Sequence, residues 1–173
     1  MKNDFARFEK DLQFAIQMEV DGERYYLKIG GLCRNEVGKR LLTALAAAED
    51  VHRQKFEAIF EATRLKKAWP KVALPAGGGI IRTIFAEALA QVKPETESPS
   101  TEMAAVDKAI GMEVASYDYY KSQSKRAAQG LEKEFYEAVA AEEHVHHMTL
   151  LDYKEYIDDP AAWFVKTEHP SFD

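Results

Sequence analysis

AIQMEVDGERYY, residues 15–26, returns as AIGMEVASYDYY at residues 109–120, with Ala, Ile, Met, Glu, Val and both tyrosines kept at an offset of 94. The same offset carries AAAEDVH, residues 46–52, onto AAEEHVH, residues 140–146. Two separate blocks sharing one offset mark a duplicated unit. Its two copies should be related by an approximate two-fold axis.

Around these blocks, apolar residues recur at spacings of three and four, the helical period, over about 4–29, 35–66, 99–128 and 131–157. The breaks inside each half are short. Gly30 and Gly31 suit a helix C-terminus, Asn35 suits the next N-cap, and Gly130 centres the second break. Short breaks make antiparallel neighbours, so each half reads as a helical hairpin. Between the halves, residues 68–100 hold four of the six prolines and a Gly triplet. There Ile80, Ile81, Ile84, Phe85, Ala88 and Val92 can form one face of a short amphipathic helix, and Pro99 fits the first turn of the next long one. The expectation is one all-α domain, a four-helix bundle of hairpins over about 4–66 and 99–157. A long crossover spans about 67–98 and a tail spans 158–173. A crossover of this length is expected to start the second hairpin at the end where the first began.

At 173 residues, 46% apolar and 30% charged, the chain has the balance of one soluble, helix-rich domain. No apolar run approaches the roughly 20 residues that span a bilayer, and MKNDFARFEKDLQF has no signal-peptide pattern, so a cytoplasmic protein with no membrane partner is expected. The net charge of −6, without a basic aromatic-rich block, argues against nucleic acid as a partner. Cys33, the single cysteine, rules out an internal disulfide and any Cys-x-x-Cys site in the chain; it reads as a small residue at a helix junction.

The repeat selects the chemistry. Glu19 falls on Glu113, Glu49 on Glu143 and His52 on His146, whereas His144 and His147 fall on Asp50 and Arg53. Glu49 and Glu143 each precede a histidine by three positions, which puts both side chains on one helix face. All six interrupt apolar stripes that should face the core. The first stripe runs Phe5, Phe8, Leu12, Ile16, Glu19, and the second Leu41, Leu45, Glu49, His52, Phe56, Ile59. The third runs Val106, Ile110, Glu113, Tyr117, Tyr120, and the fourth Phe135, Val139, Glu143, His146, Leu150, Tyr153, Ile157. Four buried carboxylates need compensation, and no Lys or Arg shares these stripes at their level, whereas two divalent cations would balance them. One Glu from each of two helices with a Glu-x-x-His from each of the others is the donor set of a dinuclear site inside a bundle. A lone Glu-x-x-His carries little weight; the duplication, the register and the stripes supply it. His144 and His147 read as solvated surface, and Glu142 lies off the stripe.

With these residues the chain resembles the rubrerythrin branch of the ferritin-like di-iron carboxylate proteins. The resemblance covers nearly the whole chain, through the six donors, the long crossover and the ending DDPAAWF at 158–164. It implies a ferritin-like bundle holding two iron ions, with zinc or manganese as alternative occupants, and a reaction with hydrogen peroxide or oxygen. In such a centre Glu49 and Glu143 are the bridging candidates, with Glu19, Glu113, His52 and His146 terminal. The alternative within the superfamily is iron oxidation and storage, or metal binding without turnover.

Rubrerythrins proper carry a rubredoxin-like Cys-x-x-Cys domain. With Cys33 alone in this chain, electrons are expected from an external donor such as a rubredoxin-like protein, and the resemblance is compatible with a homodimer. The family also has a glutamate three residues after the third-helix ligand; here that position is Ser116, and its first-half counterpart is Gly22. Glu23 aligns with Tyr117 and is either an extra carboxylate beside one metal or the wet edge of the stripe. Tyr26 and Tyr120 lie where a phenol can hydrogen-bond a ligand carboxylate, with core packing the favoured role.

Overall fold

The computed structural model describes residues 2–65, 69–70, 77–91, 100–127 and 130–163. The chain forms α1 (Lys2–Leu32), α2 (Glu36–Arg64), α3 (Gly77–Gln91), α4 (Ser100–Arg126) and α5 (Leu131–Asp158), with no strand among the described residues. The expected roles of Val92, Pro99 and the tail from Phe164 onward lie outside them.

α1 packs on α2 and α4 on α5, giving the two hairpins of the repeat, while α3 lies against α2 and α5. Asn35 caps α2 as expected: its Oδ1 accepts from Gly38 N at 2.6 Å. Gly30 and Gly31 do not end α1, which continues to Leu32. The reason is contact, since a Cβ at Gly30 would lie 3.2 Å from Leu42 Cβ. Glycine there lets the last turns of α1 close against α2. Gly130, at φ 118°, does end a hairpin turn in the region that favours glycine.

The crossover reverses one expectation. Asn35 Nδ2 donates to Glu102 Oε1 at 3.0 Å, and Tyr153 OH donates to the same oxygen at 2.5 Å. The start of α4 and the end of α5 therefore sit beside the α1–α2 turn, at the opposite end from where α1 begins. At that first end, Tyr119 OH donates to Asp11 O at 2.8 Å. The crossover, carrying α3, spans the length of the bundle and turns the second hairpin over. The order is up, down, down, up, the arrangement of bundles with one long crossover.

The buried residues form two apolar clusters. One, around Leu41, Leu42, Leu45, Phe85, Leu150 and Tyr153, fills the turn end; the other, around Leu12, Phe56, Tyr120, Phe135 and Tyr136, fills the far end. α3 contributes Ile81, Phe85, Ala88 and Leu89 to the first, while Ile80 is 56% exposed. In α1 and α4 the buried stripe takes Ala15 and Ala109 in place of Ile16 and Ile110, which are half-buried. The repeat makes the same shift in both copies.

Close packing and open space among the glycines give a paired test. A Cβ at Gly38 would meet Tyr153 Cζ at 2.8 Å and Cys33 Sγ at 2.9 Å, whereas one at Gly111 meets nothing within 4 Å. Gly38→Ala is expected to cost about 1–3 kcal/mol through overpacking. Gly111→Ala, inside a helix, is expected to stabilise by about 0.5–1 kcal/mol. Urea midpoints moving in the same direction for both variants would contradict this packing.

Candidate metal centre

Between the two apolar clusters lies a polar layer. Glu19 (2% exposed), Glu49 (4%), His52 (3%), Glu113 (2%), Glu143 (1%) and His146 (0%) all point into it, and no lysine or arginine is buried among the described residues. Each helix of the hairpins reaches this layer where its apolar stripe is interrupted. The sequence brings one carboxylate from α1, one from α4, and a one-turn Glu/His pair from each of α2 and α5.

The six donors converge as two overlapping groups. Glu19, Glu49, His52 and Glu143 form one; Glu49, Glu113, Glu143 and His146 form the other; within each group the ligand atoms lie within 4.8 Å of one another. Glu49 and Glu143 belong to both. His52 Nδ1 is 3.4 Å from Glu19 Oε2 and 3.1 Å from Glu143 Oε1, and His146 Nδ1 is 3.4 Å from Glu49 Oε1. Yet His52 Nδ1, Glu143 Oε1, Glu113 Oε2 and both His146 nitrogens have no hydrogen-bond partner in acceptable geometry. Buried polar atoms that converge without bonding one another are arranged to bind something held between them. The imidazole rings stack with centroids 5.7 Å apart.

Two phenols fix the outer carboxylates. Tyr26 on α1 donates to Glu113 Oε1 on α4, and Tyr120 on α4 donates to Glu19 Oε1 on α1. Burial, reinforced by the neighbouring carboxylates, pushes both tyrosines well above their ordinary 10, so they remain neutral donors. Core packing, the role favoured from sequence, is thus only half of their function. The available signal was their recurrence at the offset of 94 together with Glu19 and Glu113.

Other residues singled out from sequence stay outside both groups. Glu23 is half-buried at the edge of the layer, and Tyr117 is half-buried with its ring 5.8 Å from the exposed His144. His147 is half-buried with its ring 6.4 Å from His144, in keeping with a solvated helix face. A Cβ at Gly22 would lie 3.3 Å from Glu49 Cγ, so the position corresponding to the family's extra glutamate is occupied in this half by the Glu49 side chain. Cys33 is buried beside Glu102 at 3.1 Å, and burial with that carboxylate pushes its thiol up to about 12, making it inert.

The protein groups alone balance their charge with protons. Burial, then repulsion from Glu49, holds the Glu19 carboxyl well above 4.5, and burial with Glu143 and Glu49 does the same for Glu113. At Glu49 and Glu143 burial pulls the same way, but the neighbouring Glu19 acid at Glu49 and the close approach of both imidazoles at each site outweigh it and hold both carboxyls below their ordinary value. Burial opposes the charging of His52 and His146, and the surrounding carboxylates raise both well above 6.5. The outer acids and the imidazoles thus hold their protons to higher pH, and Glu49 and Glu143 lose theirs at lower pH, than the same groups would in water.

Residues 10–77 match the model of the rubrerythrin family, a span that contains Glu19, Glu49 and His52. No curated protein and no solved structure matches the chain. Among the described residues, no helix is long and apolar enough to cross a membrane.

The proton balance has a measurable sign. The contributions of Glu19 and Glu113 to stability are complete below 4.5 and those of His52 and His146 below 6.5; each declines as pH rises towards the raised folded-state value. Those of Glu49 and Glu143 are present above 4.5 and decline as pH falls. Metal-stripped protein should therefore lose thermal stability as pH rises beyond 6.5. A divalent cation must displace the protons on these four groups, so its affinity should rise over the same range. Calorimetry in buffers of different ionisation enthalpy reads the released protons directly; no net release would contradict this arrangement.

Proposed function

We propose that this rubrerythrin-like chain is a di-iron oxidoreductase that reduces hydrogen peroxide with electrons from a separate donor protein. The observation that carries the reading is the pair of overlapping donor groups sharing Glu49 and Glu143. Two divalent ions would match the four carboxylates in charge, and the orphaned nitrogens and oxygens would complete their coordination. Glu49 and Glu143 are the bridging ligands in this reading. Glu19 with His52 would hold one ion, and Glu113 with His146 the other. Fe(II) at both positions would supply the two electrons that reduction of a peroxide requires.

The chain's own residues hold the site ready for that chemistry. Tyr26 and Tyr120 donate to one oxygen each of Glu113 and Glu19, which leaves the other oxygens to face the ions. Such outer hydrogen bonds orient ligands and tune their basicity. The apolar clusters on either side exclude bulk water and restrict entry to small molecules. The histidines, charged in the absence of metal, deliver their protons to solvent on loading and bind as neutral imidazoles.

Glu143→Ala removes a ligand common to both groups and should abolish stoichiometric binding of two Fe(II) per chain, as measured by iron analysis after desalting. Retention of two irons would sink the assignment. Tyr120→Phe keeps the ring stacked near Phe56 but loses the bond to Glu19. A drop of about 10–100-fold in metal affinity against a competing chelator is expected, with helix content unchanged. The reaction itself is tested by stopped-flow absorbance on protein loaded anaerobically with Fe(II). Oxidation should be faster with peroxide than with oxygen, and the reverse order would replace peroxide reduction with an oxidase or ferroxidase function.

A further inference from the structure

The repeat makes the two ends of the centre alike, but among the described residues the crossover helix has no second copy. α3 lies against α2 and α5. Its Ile81 and Ile84, with Ala44, Ala48 and Val51 of α2, line a pocket of about 220 Å³ whose wall includes His52. Among the described residues, the one ionisable side chain besides His52 that lines it is Glu142 of α5. His146, the repeat partner of His52, is 0% exposed, and both its ring nitrogens are buried without a partner, whereas at His52 this holds for Nδ1 alone.

We propose that this pocket binds a small uncharged aliphatic molecule and brings it against His52, making the two ends of the centre inequivalent. The inference rests on the di-iron reading only for its consequence at the metals; the ligand class follows from the walls. Three alanines of α2, at 44, 47 and 48, leave the space, and the α3 isoleucines supply the apolar surface. Moving an alkyl chain from water into such walls is favourable in proportion to the area buried. Among the described residues no lysine or arginine lines the pocket to balance an anion, and Glu142 would repel one. An ammonium group would exchange water for alanine and isoleucine, with Glu142 alone to offset its desolvation. The volume is below the about 300–1,000 Å³ of pockets that take drug-sized ligands, which points to a short chain.

The repeat also explains why one end is chosen. The α2 and α5 segments that carry the histidines are copies, but α3 has no second copy among the described residues to build the same pocket at His146. The duplicated unit supplies identical donors, and the unduplicated crossover distinguishes them.

The test uses the full chain without metal, labelled at isoleucine methyls and histidine ring nitrogens, and titrated in an NMR experiment with 1-hexanol, hexanoate and hexylammonium. Hexanol should shift Ile80, Ile81 and Ile84 and the His52 ring saturably, leaving Ile16, Ile59 and His146 in place. Hexanoate and hexylammonium should each bind at least about tenfold more weakly. Ala48→Leu, which fills the pocket, should weaken hexanol by about tenfold or more. Shifts of equal size at Ile59 or His146, shifts that do not saturate, or an ion binding as tightly as the alcohol would overturn the proposal. The wild-type titration decides even where the variant fails to fold. Because no metal is present, a negative result removes the pocket and leaves the di-iron reading standing, whereas failure of the wild type to take up iron does the opposite.

Discussion

Four glutamates, none more than 4% exposed, occupy the middle of the bundle, and taking each ionised carboxylate out of water costs several kcal/mol even after relaxation. A domain whose net stability is about 5–15 kcal/mol cannot hold four such charges uncompensated. Two means of compensation are built into the same six residues. Protons on Glu19, Glu113, His52 and His146 neutralise the layer in one form, and two divalent cations would do so in the other. Loading of a metal at these residues would therefore compete with protons and depend on pH. The apolar clusters on either side depend on this neutrality, because an unbalanced charge between them would draw water into the gap.

The crossed phenols make the layer a property of the whole bundle. Tyr26 belongs to the first hairpin and secures Glu113 of the second, while Tyr120 belongs to the second and secures Glu19 of the first. Glu49 and Glu143 each serve both donor groups. Neither hairpin can assemble half of the centre alone. Docking of the hairpins and convergence of the ligands are one event, which is why a motif matched over residues 10–77 is meaningful only with the second copy opposite it.

Much of this was legible in the sequence, and particular residues show why. The offset of 94 identified the donors because a ligand set of two-fold symmetry leaves a repeated pattern of charges in apolar stripes. Periodicity located the helices but misjudged details that depend on contact. Gly30 resembled a helix terminator, yet it serves close approach to Leu42. Ile16 and Ile110 looked like core, but the alanines before them take the inner position, a shift of one residue that hydrophobicity alone does not resolve. The direction of the second hairpin depended on the span of the crossover, and composition gives its length without its course. The phenol bonds were foreseen as an option but ranked below core packing, because a buried tyrosine satisfies the pattern of a core aromatic whatever its hydroxyl touches.

What separates the two ends of the centre is α3, which has no copy among the described residues. A perfect two-fold would give each metal position the same protein environment and the same approach from solvent. α3 breaks that equivalence by adding Ile81, Phe85, Ala88 and Leu89 to one apolar cluster while setting Ile84 against the α2 alanines next to His52. Gly22 breaks it again, since its absent side chain leaves room for Glu49, whereas the matching position carries Ser116. Symmetry supplies the ligands a dinuclear centre needs. Departures from symmetry, in a crossover helix and one glycine, make its two ends different.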